Sequence, residues 1–141
     1  MSAASMSGGD QEFARKAISM STLVDRLQRD VSVFERCRVP VICAMHGFVI
    51  GAGVDLSSAC DIRMCTKDTK FSIKEVDIGL CADIGTTQRF QKVVGSDSWF
   101  RELSYTARFF DAAEAAHHGY VSSVYDDQKS MLEAANKLAL Q

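Results

Sequence analysis

Three carboxylates in the middle of the chain occupy positions that surface decoration explains poorly. Asp55 lies between Val54 and Leu56, and Glu75 follows Ile73-Lys74. Asp83 is the one charge in Gly79-Leu80-Cys81-Ala82-Asp83-Ile84-Gly85. An acid drawn into apolar surroundings loses solvation of its charged form, so its pKa rises, and two such acids set apart in one cleft can serve in turn as base and acid. Just before them runs Gly51-Ala52-Gly53-Val54-Asp55, a glycine turn that opens a helix. First-turn amides have no partner within their helix, and small side chains let a ligand oxygen approach them. Each feature also has a plainer reading that the residues leave open. The glycines can serve only the close packing of helix on strand, and Asp83 can cap the helix that starts near Gly85. Asp77 reads as a turn residue.

Other chemistries find less support. Gly47-x3-Gly51-x-Gly53 lacks the spacing of a dinucleotide fingerprint, and no lysine-hydroxyl pair follows it as in a phosphate-binding loop. Ser57-Ser58 does not sit in a nucleophile elbow, and His46 has no acid partner visible in sequence. Cys60-x4-Cys65 lacks a second pair and His117 and His118 are adjacent, so no metal site is expected. The two histidines are expected at a helix end, where imidazole meets the last carbonyls. Arg89, Lys92, Arg101 and Arg108 are dispersed along helices and read as solvated faces. Cys37, Cys43, Cys60, Cys65 and Cys81 are odd in number and follow no apolar leader, which points to free, mostly buried thiols in a reducing interior.

The whole chain sets the outer bounds. Its 141 residues are enough for one domain with a sizeable core, and 47% of them are apolar. With 16 basic and 18 acidic residues the formal charge is -2, which excludes a strongly basic nucleic-acid surface and any electrostatic pull toward an anionic membrane. The longest apolar runs are a few residues, far short of the roughly 20 needed to span a bilayer.

The acids need elements to position them. Residues 1–10 are small and polar and read as an unpacked start. From 11 to 37, apolar residues from Phe13 to Phe34 recur at helical spacing and predict a long amphipathic helix. Pro40 separates it from a buried strand over 41–45. The stretch 47–53 reads as a tight glycine crossing, 53–60 as a short helix, 61–65 as a strand and 70–73 as a short extended segment. A loop then carries Glu75, Asp77, Gly79 and Asp83. Helices are predicted from Thr86 to Val94, closed by Gly95, and onward from Ser96. Asp111-Ala-Ala-Glu114 is a capping box, with Asp111 accepting from first-turn amides and Glu114 reaching back. A strand over 121–125 and a final helix begun by Asp127 complete an α/β order. Periodicity does not choose between a spiral of ββα turns and a doubly wound sheet.

Three stretches do more. His46 to Leu56, then Ala59-Cys60-Asp61-Ile62-Arg63, then Phe71 to Arg89 together resemble the enoyl-CoA hydratase/isomerase (crotonase) superfamily. The resemblance covers about Val31 to Leu140. It implies a crotonase-like ββα spiral core, and the chain reads as a partial domain over 11–141, truncated at both ends. It places one amide of an oxyanion hole at Ala52, with Gly51 and Gly53 beside it. The second oxyanion amide belongs to an earlier loop that has no counterpart in this sequence.

Hydratases of the family carry glutamates where this chain has Asp55 and Glu75, and usually glycine where it has Asp83. The shortened Asp55 and the added Asp83 match the family's dienoyl-CoA isomerase branch. That branch converts 3,5-dienoyl-CoA to 2,4-dienoyl-CoA in fatty-acid β-oxidation. The implied roles are Glu75 as base at C2, Asp83 as acid at C6 and Asp55 as an orienting group. Phe71, Leu80 and Ile84 are candidates for lining the acyl tunnel. The resemblance further implies an acyl-CoA thioester as substrate and no separate cofactor, because the thioester itself accepts the electrons. It implies assembly as a homotrimer or homohexamer and a place in the mitochondrion or peroxisome, although no targeting signal is visible. Hydratase chemistry and a noncatalytic crotonase-fold protein are the alternatives.

Overall fold

A computed structural model describes residues 8–141, and within it the chain coils through two small sheets. Strand β1 (Ile42–Met45) is followed after only His46-Gly47 by β2 (Phe48–Ile50). Gly47 has φ +65°, a left-handed conformation that glycine adopts without penalty, and it turns the chain from one sheet into the other. Helix α2 (Ala52–Ser58) leads back to β3 (Ile62–Thr66), and β4 (Lys70–Ser72) follows. β3 lies parallel to β1, with Ile42 opposite Ile62, and β4 lies parallel to β2, with Val49 opposite Phe71. Each turn of the coil thus adds one strand to each sheet. The register decides the question periodicity left open: this is a ββα spiral. β2 is an addition to the expected elements, because flanking glycines made 47–53 look like a bare crossing.

A 3-10 turn (Glu75–Ile78) and a non-helical stretch lead into α3 (Thr86–Val94) and α4 (Asp97–Thr106). Gly95 ends α3 in the left-handed region at φ +66°, and the Ser96 side chain caps α4 by accepting from the Trp99 amide. Strand β5 (Phe110–Asp111) pairs antiparallel with β4, and α5 (Ala112–His117) follows. β6 (Ser123–Tyr125) completes the first sheet beside β3, and α6 (Gln128–Ala139) packs Met131 and Ala135 against Met64.

The main core lies between the sheets and α3–α5. Phe71 stacks on Phe110 at 5.1 Å and meets Tyr120 edge-on, while Phe90 lies 4.8 Å from Tyr120. Buried aromatics of this size dominate core energetics, and offset or edge-on pairs add about 0.5–1.5 kcal/mol each. The Tyr120 hydroxyl is satisfied by Ser57 Oγ at 2.6 Å.

Several expectations are corrected. Helix α1 spans Gly8–Glu35, so it begins three residues before position 11, and the unpacked start can apply only to residues outside those described. Its apolar stripe is not buried: Phe13 is 76% and Ile18 67% exposed. Two cysteines, Cys60 and Cys65, are buried, Cys43 is half-buried, and Cys37 and Cys81 are exposed, all five being free. The capping box is half formed. Asp111 accepts from the Glu114 amide at 2.9 Å, but the Glu114 carboxylate turns instead to Trp99 Nε1 and the Arg108 guanidinium. Arg108 and Arg89 are therefore ion-paired struts rather than solvated faces. His117 closes α5 as expected, and His118 stacks on Trp99 at 3.9 Å. No helix among the described residues is long and apolar enough to cross a membrane.

Candidate active site

The coil brings the sequence-predicted acids to one end of the sheets, each on a different connection. Gly51 sits between β2 and α2 with φ +53°, and its amide donates to the Ser72 carbonyl at 3.0 Å. The Gly51 carbonyl accepts the amides of Val54 and Asp55, which leaves those of Ala52 and Gly53 without an intrahelical acceptor. Among described residues, Ala107 alone of the non-glycines has positive φ, so Ala52 carries its N–H in an ordinary helical conformation. A side chain at Gly51 would place its Cβ 3.1 Å from Glu75 Oε1. The helix opening and the Glu75 carboxylate are thus neighbours.

Glu75 begins the 3-10 turn directly after β4. Its Oε2 is buried without a hydrogen-bond partner. Burial raises its pKa, and the nearby charges of Asp55 and Asp83 raise it further. Asp55 is fully buried in α2. Its Oδ1 accepts the Thr86 amide at 2.5 Å, while Oδ2 has no partner. Burial again raises the pKa, opposed by the Thr86 hydrogen bond. Asp83 is half-buried in the turn before α3. Its own amide bonds to the Cys81 carbonyl at 2.9 Å, and its carbonyl accepts from Gln28 Nε2 at 2.6 Å.

Glu75 and Asp83 line one cleft of about 500 Å³ together with Gly51 and Ala52. Leu80 and Ile84 are in its wall, with Ile50 and Ile78, and Met20, Leu23, Val24 and Leu27 of α1 form the opposite side. Three expected contributors are elsewhere. Phe71 is enclosed by the aromatic core, because β4 turns it toward Phe110 and Tyr120. Gly53 faces Val49, where a Cβ would come within 3.3 Å, and serves close packing. Asp55 stands behind the wall, engaged with α3.

Sequence reasoning missed the α1 wall and Gln28, because nothing in a helical pattern says which distant segment it will face. It also missed a second cavity of about 480 Å³, bounded by Val76, Phe100, Ser104 and Tyr105, into which Glu75 and Cys81 also open. The described residues contain no cluster of three or more potential metal ligands.

Chemically, the cleft can hold a flat hydrocarbon chain between apolar walls, take a proton at one carboxylate, return one at another and meet an oxygen with a backbone N–H. The chain belongs to the enoyl-CoA hydratase/isomerase family, which it matches over residues 3–141, and its fold is the crotonase fold.

Among its relatives is the mitochondrial Delta(3,5)-Delta(2,4)-dienoyl-CoA isomerase of Rattus norvegicus, 52% identical over 128 residues, which are 91% of this chain and 39% of that protein. The peroxisomal protein of the same name from Arabidopsis thaliana is 41% identical over 139 residues, 99% of this chain and 49% of its own length. The chain therefore spans less than half the length of these relatives. A putative enoyl-CoA hydratase from Thermobifida fusca in complex with acetoacetyl-CoA superposes with a TM-score of 0.82 at 32% identity, covering 92% of this chain and 50% of that one.

Proposed function

We propose that this chain carries the reaction centre of a Δ3,5-Δ2,4-dienoyl-CoA isomerase. The observation that carries the reading is the presence of two separate carboxylates, Glu75 and Asp83, in the wall of a single apolar cleft. Moving the double bonds shifts a proton from C2 to C6, about 5 Å apart on an extended chain, and two acids at different places along the cleft suit that distance. The identity to dienoyl-CoA isomerases of rat and Arabidopsis supports the same reading.

Glu75 takes the C2 proton. Its raised pKa makes it a stronger base than an exposed carboxylate. The C–H electron pair moves into the conjugated thioester, and the Ala52 amide donates to the oxygen on which charge develops. One such donor lowers the barrier by roughly 3 kcal/mol. The same electrons return through the diene to C6, where protonated Asp83 supplies the proton. Glu75 ends protonated and Asp83 ionised, and exchange with solvent resets both. Asp55 moves no proton and holds the start of α3. The thioester acts as the electron sink, so no separate cofactor takes part. A homotrimer or homohexamer is the proposed assembly. A mitochondrion or a peroxisome is the proposed location, a reading supported by the names of the rat and Arabidopsis relatives.

The test supplies a 3,5-dienoyl-CoA to the protein and follows the conjugated 2,4-dienoyl chromophore, with Asp83→Asn alongside. The variant is expected to lose at least about a hundredfold in rate, the scale of general acid catalysis. Hydration of a 2-enoyl-CoA without any isomerisation, or an unchanged rate in the variant, overturns the reading.

A further inference from the structure

We propose that Gln28 of α1 is the positioning residue for Asp83, an inference that rests on the isomerase reading above. Asp83 lies outside any helix or strand, in the turn between Ala82 and α3. No hydrogen bond holds its carboxylate among the described residues, so the backbone alone decides where that acid points. The backbone there is held from a distance. Gln28 Nε2 donates to the Asp83 carbonyl at 2.6 Å, across 55 residues of sequence.

Gln28 is itself braced. Ser32 Oγ donates to the Gln28 carbonyl at 2.6 Å and accepts from Arg89 Nη2 at 2.8 Å. Arg89 Nη2 also reaches Glu35 Oε2 at 2.7 Å, and the Arg89 amide bonds to the Gly85 carbonyl at 3.1 Å. The result is a closed ring, Asp83–Gln28–Ser32–Arg89–Gly85, around the turn that carries the acid. Gln28 and Ser32 are half-buried, as are Val24, Val31 and Phe34, while Phe13, Ile18 and Val33 of the same helix are exposed. Two polar side chains thus sit among the packed positions of α1, and one of them offers a donor to the main chain of Asp83.

Glu75 is held independently, by the end of β4 and its own 3-10 turn, so loss of Gln28 should affect one acid and spare the other. The experiment runs the reaction in D2O with wild type, Gln28→Leu, which removes the donor, and Gln28→Lys, which keeps one. Deuterium at C2 of recovered 3,5-dienoyl-CoA reports Glu75, and deuterium at C6 of the product reports Asp83. In Gln28→Leu, C6 incorporation is expected to fall about tenfold or more, the scale of a small misplacement of a reacting group. C2 exchange should stay within about twofold, and Gln28→Lys should recover most of the C6 step. In parallel, backbone amide exchange in Gln28→Leu should speed up across Ile84–Thr86 and stay unchanged across Glu75–Ile78.

Equal loss at both carbons, no loss at either, or unchanged amide exchange overturns the role of Gln28. Wild-type protein that exchanges neither carbon overturns the isomerase reading instead, and the amide-exchange comparison then decides Gln28 alone.

Discussion

Asp55 Oδ1 accepts the backbone amide of Thr86 at 2.5 Å, across 31 residues of sequence. A side chain of one helix thereby caps another, because Gly85 offers no side chain to cap α3 itself. Asp55→Ala leaves the Thr86 N–H buried without a partner, which costs about 1–3 kcal/mol. Asp55→Asn keeps an acceptor and removes a buried charge. Urea unfolding at pH 7 should therefore show the alanine variant clearly destabilised and the asparagine variant at or above wild type. Equal stability of the alanine variant would show that the cap contributes nothing.

The raised acids also set a direction for pH. Burial raises the folded-state pKa of both Asp55 and Glu75. Between the ordinary carboxylate range, about pH 4, and those raised values, the folded chain binds more protons than the unfolded one. Stability from these groups is therefore greatest at the acid end and falls as pH rises through the folded pKa. Glu75→Gln should flatten that fall and be more stable than wild type near pH 7, while losing at least about a hundredfold in isomerisation. Thermal unfolding from pH 4 to 8 checks the sign, and a variant that is less stable at neutral pH contradicts it.

Gly51 combines a positive φ with a close neighbour. Gly51→Ala forces a strained backbone and puts a methyl 3.1 Å from Glu75 Oε1. We expect stability to drop by about 1–3 kcal/mol and isomerisation to drop further than that loss explains, because the base is displaced as well. Gly47→Ala is the control. It shares the positive φ but has open space around its Cβ, so it should lose stability without the additional loss of rate.

Much of this architecture was legible in sequence where the cause is local. The bounds of α3, the Gly95 stop and the Ser96 and Asp127 caps follow from single residues acting on the next few amides. The burial of Asp55 and the partial burial of Glu75 and Asp83 were legible because charge in an apolar run needs a reason. What escaped notice depends on chain segments far apart. β2 was hidden by its glycines and is a strand only because β4 pairs with it. Phe71 looked equally suited to tunnel or core, and only the pleat of β4 decides for the core. The pairs Gln28–Asp83 and Arg89–Glu35 join residues more than 50 positions apart, and no periodicity encodes them.

The thiols supply a chemical probe of the cleft. Cys37 and Cys81 are exposed, whereas burial pushes the Cys65 thiol up to about 11. A maleimide should label Cys37 and Cys81 rapidly and Cys65 only after unfolding, as peptide mass mapping can read. Cys81 lines the cleft, so labelling it should block isomerisation, and Cys81→Ala should make the protein resistant. Retained activity with Cys81 fully labelled would place the substrate elsewhere.

Asp55, Glu75 and Asp83 each sit on a different excursion from the coil: a helix, a 3-10 turn and a bare bend. The rungs beneath are joined by backbone pairing that none of these side chains enters. Such a scaffold lets the carboxylate of Glu75 or of Asp83 be exchanged while the backbone pairing beneath keeps its register. New chemistry on this frame can therefore arise by single exchanges, with no need to rebuild the ladder that supports them.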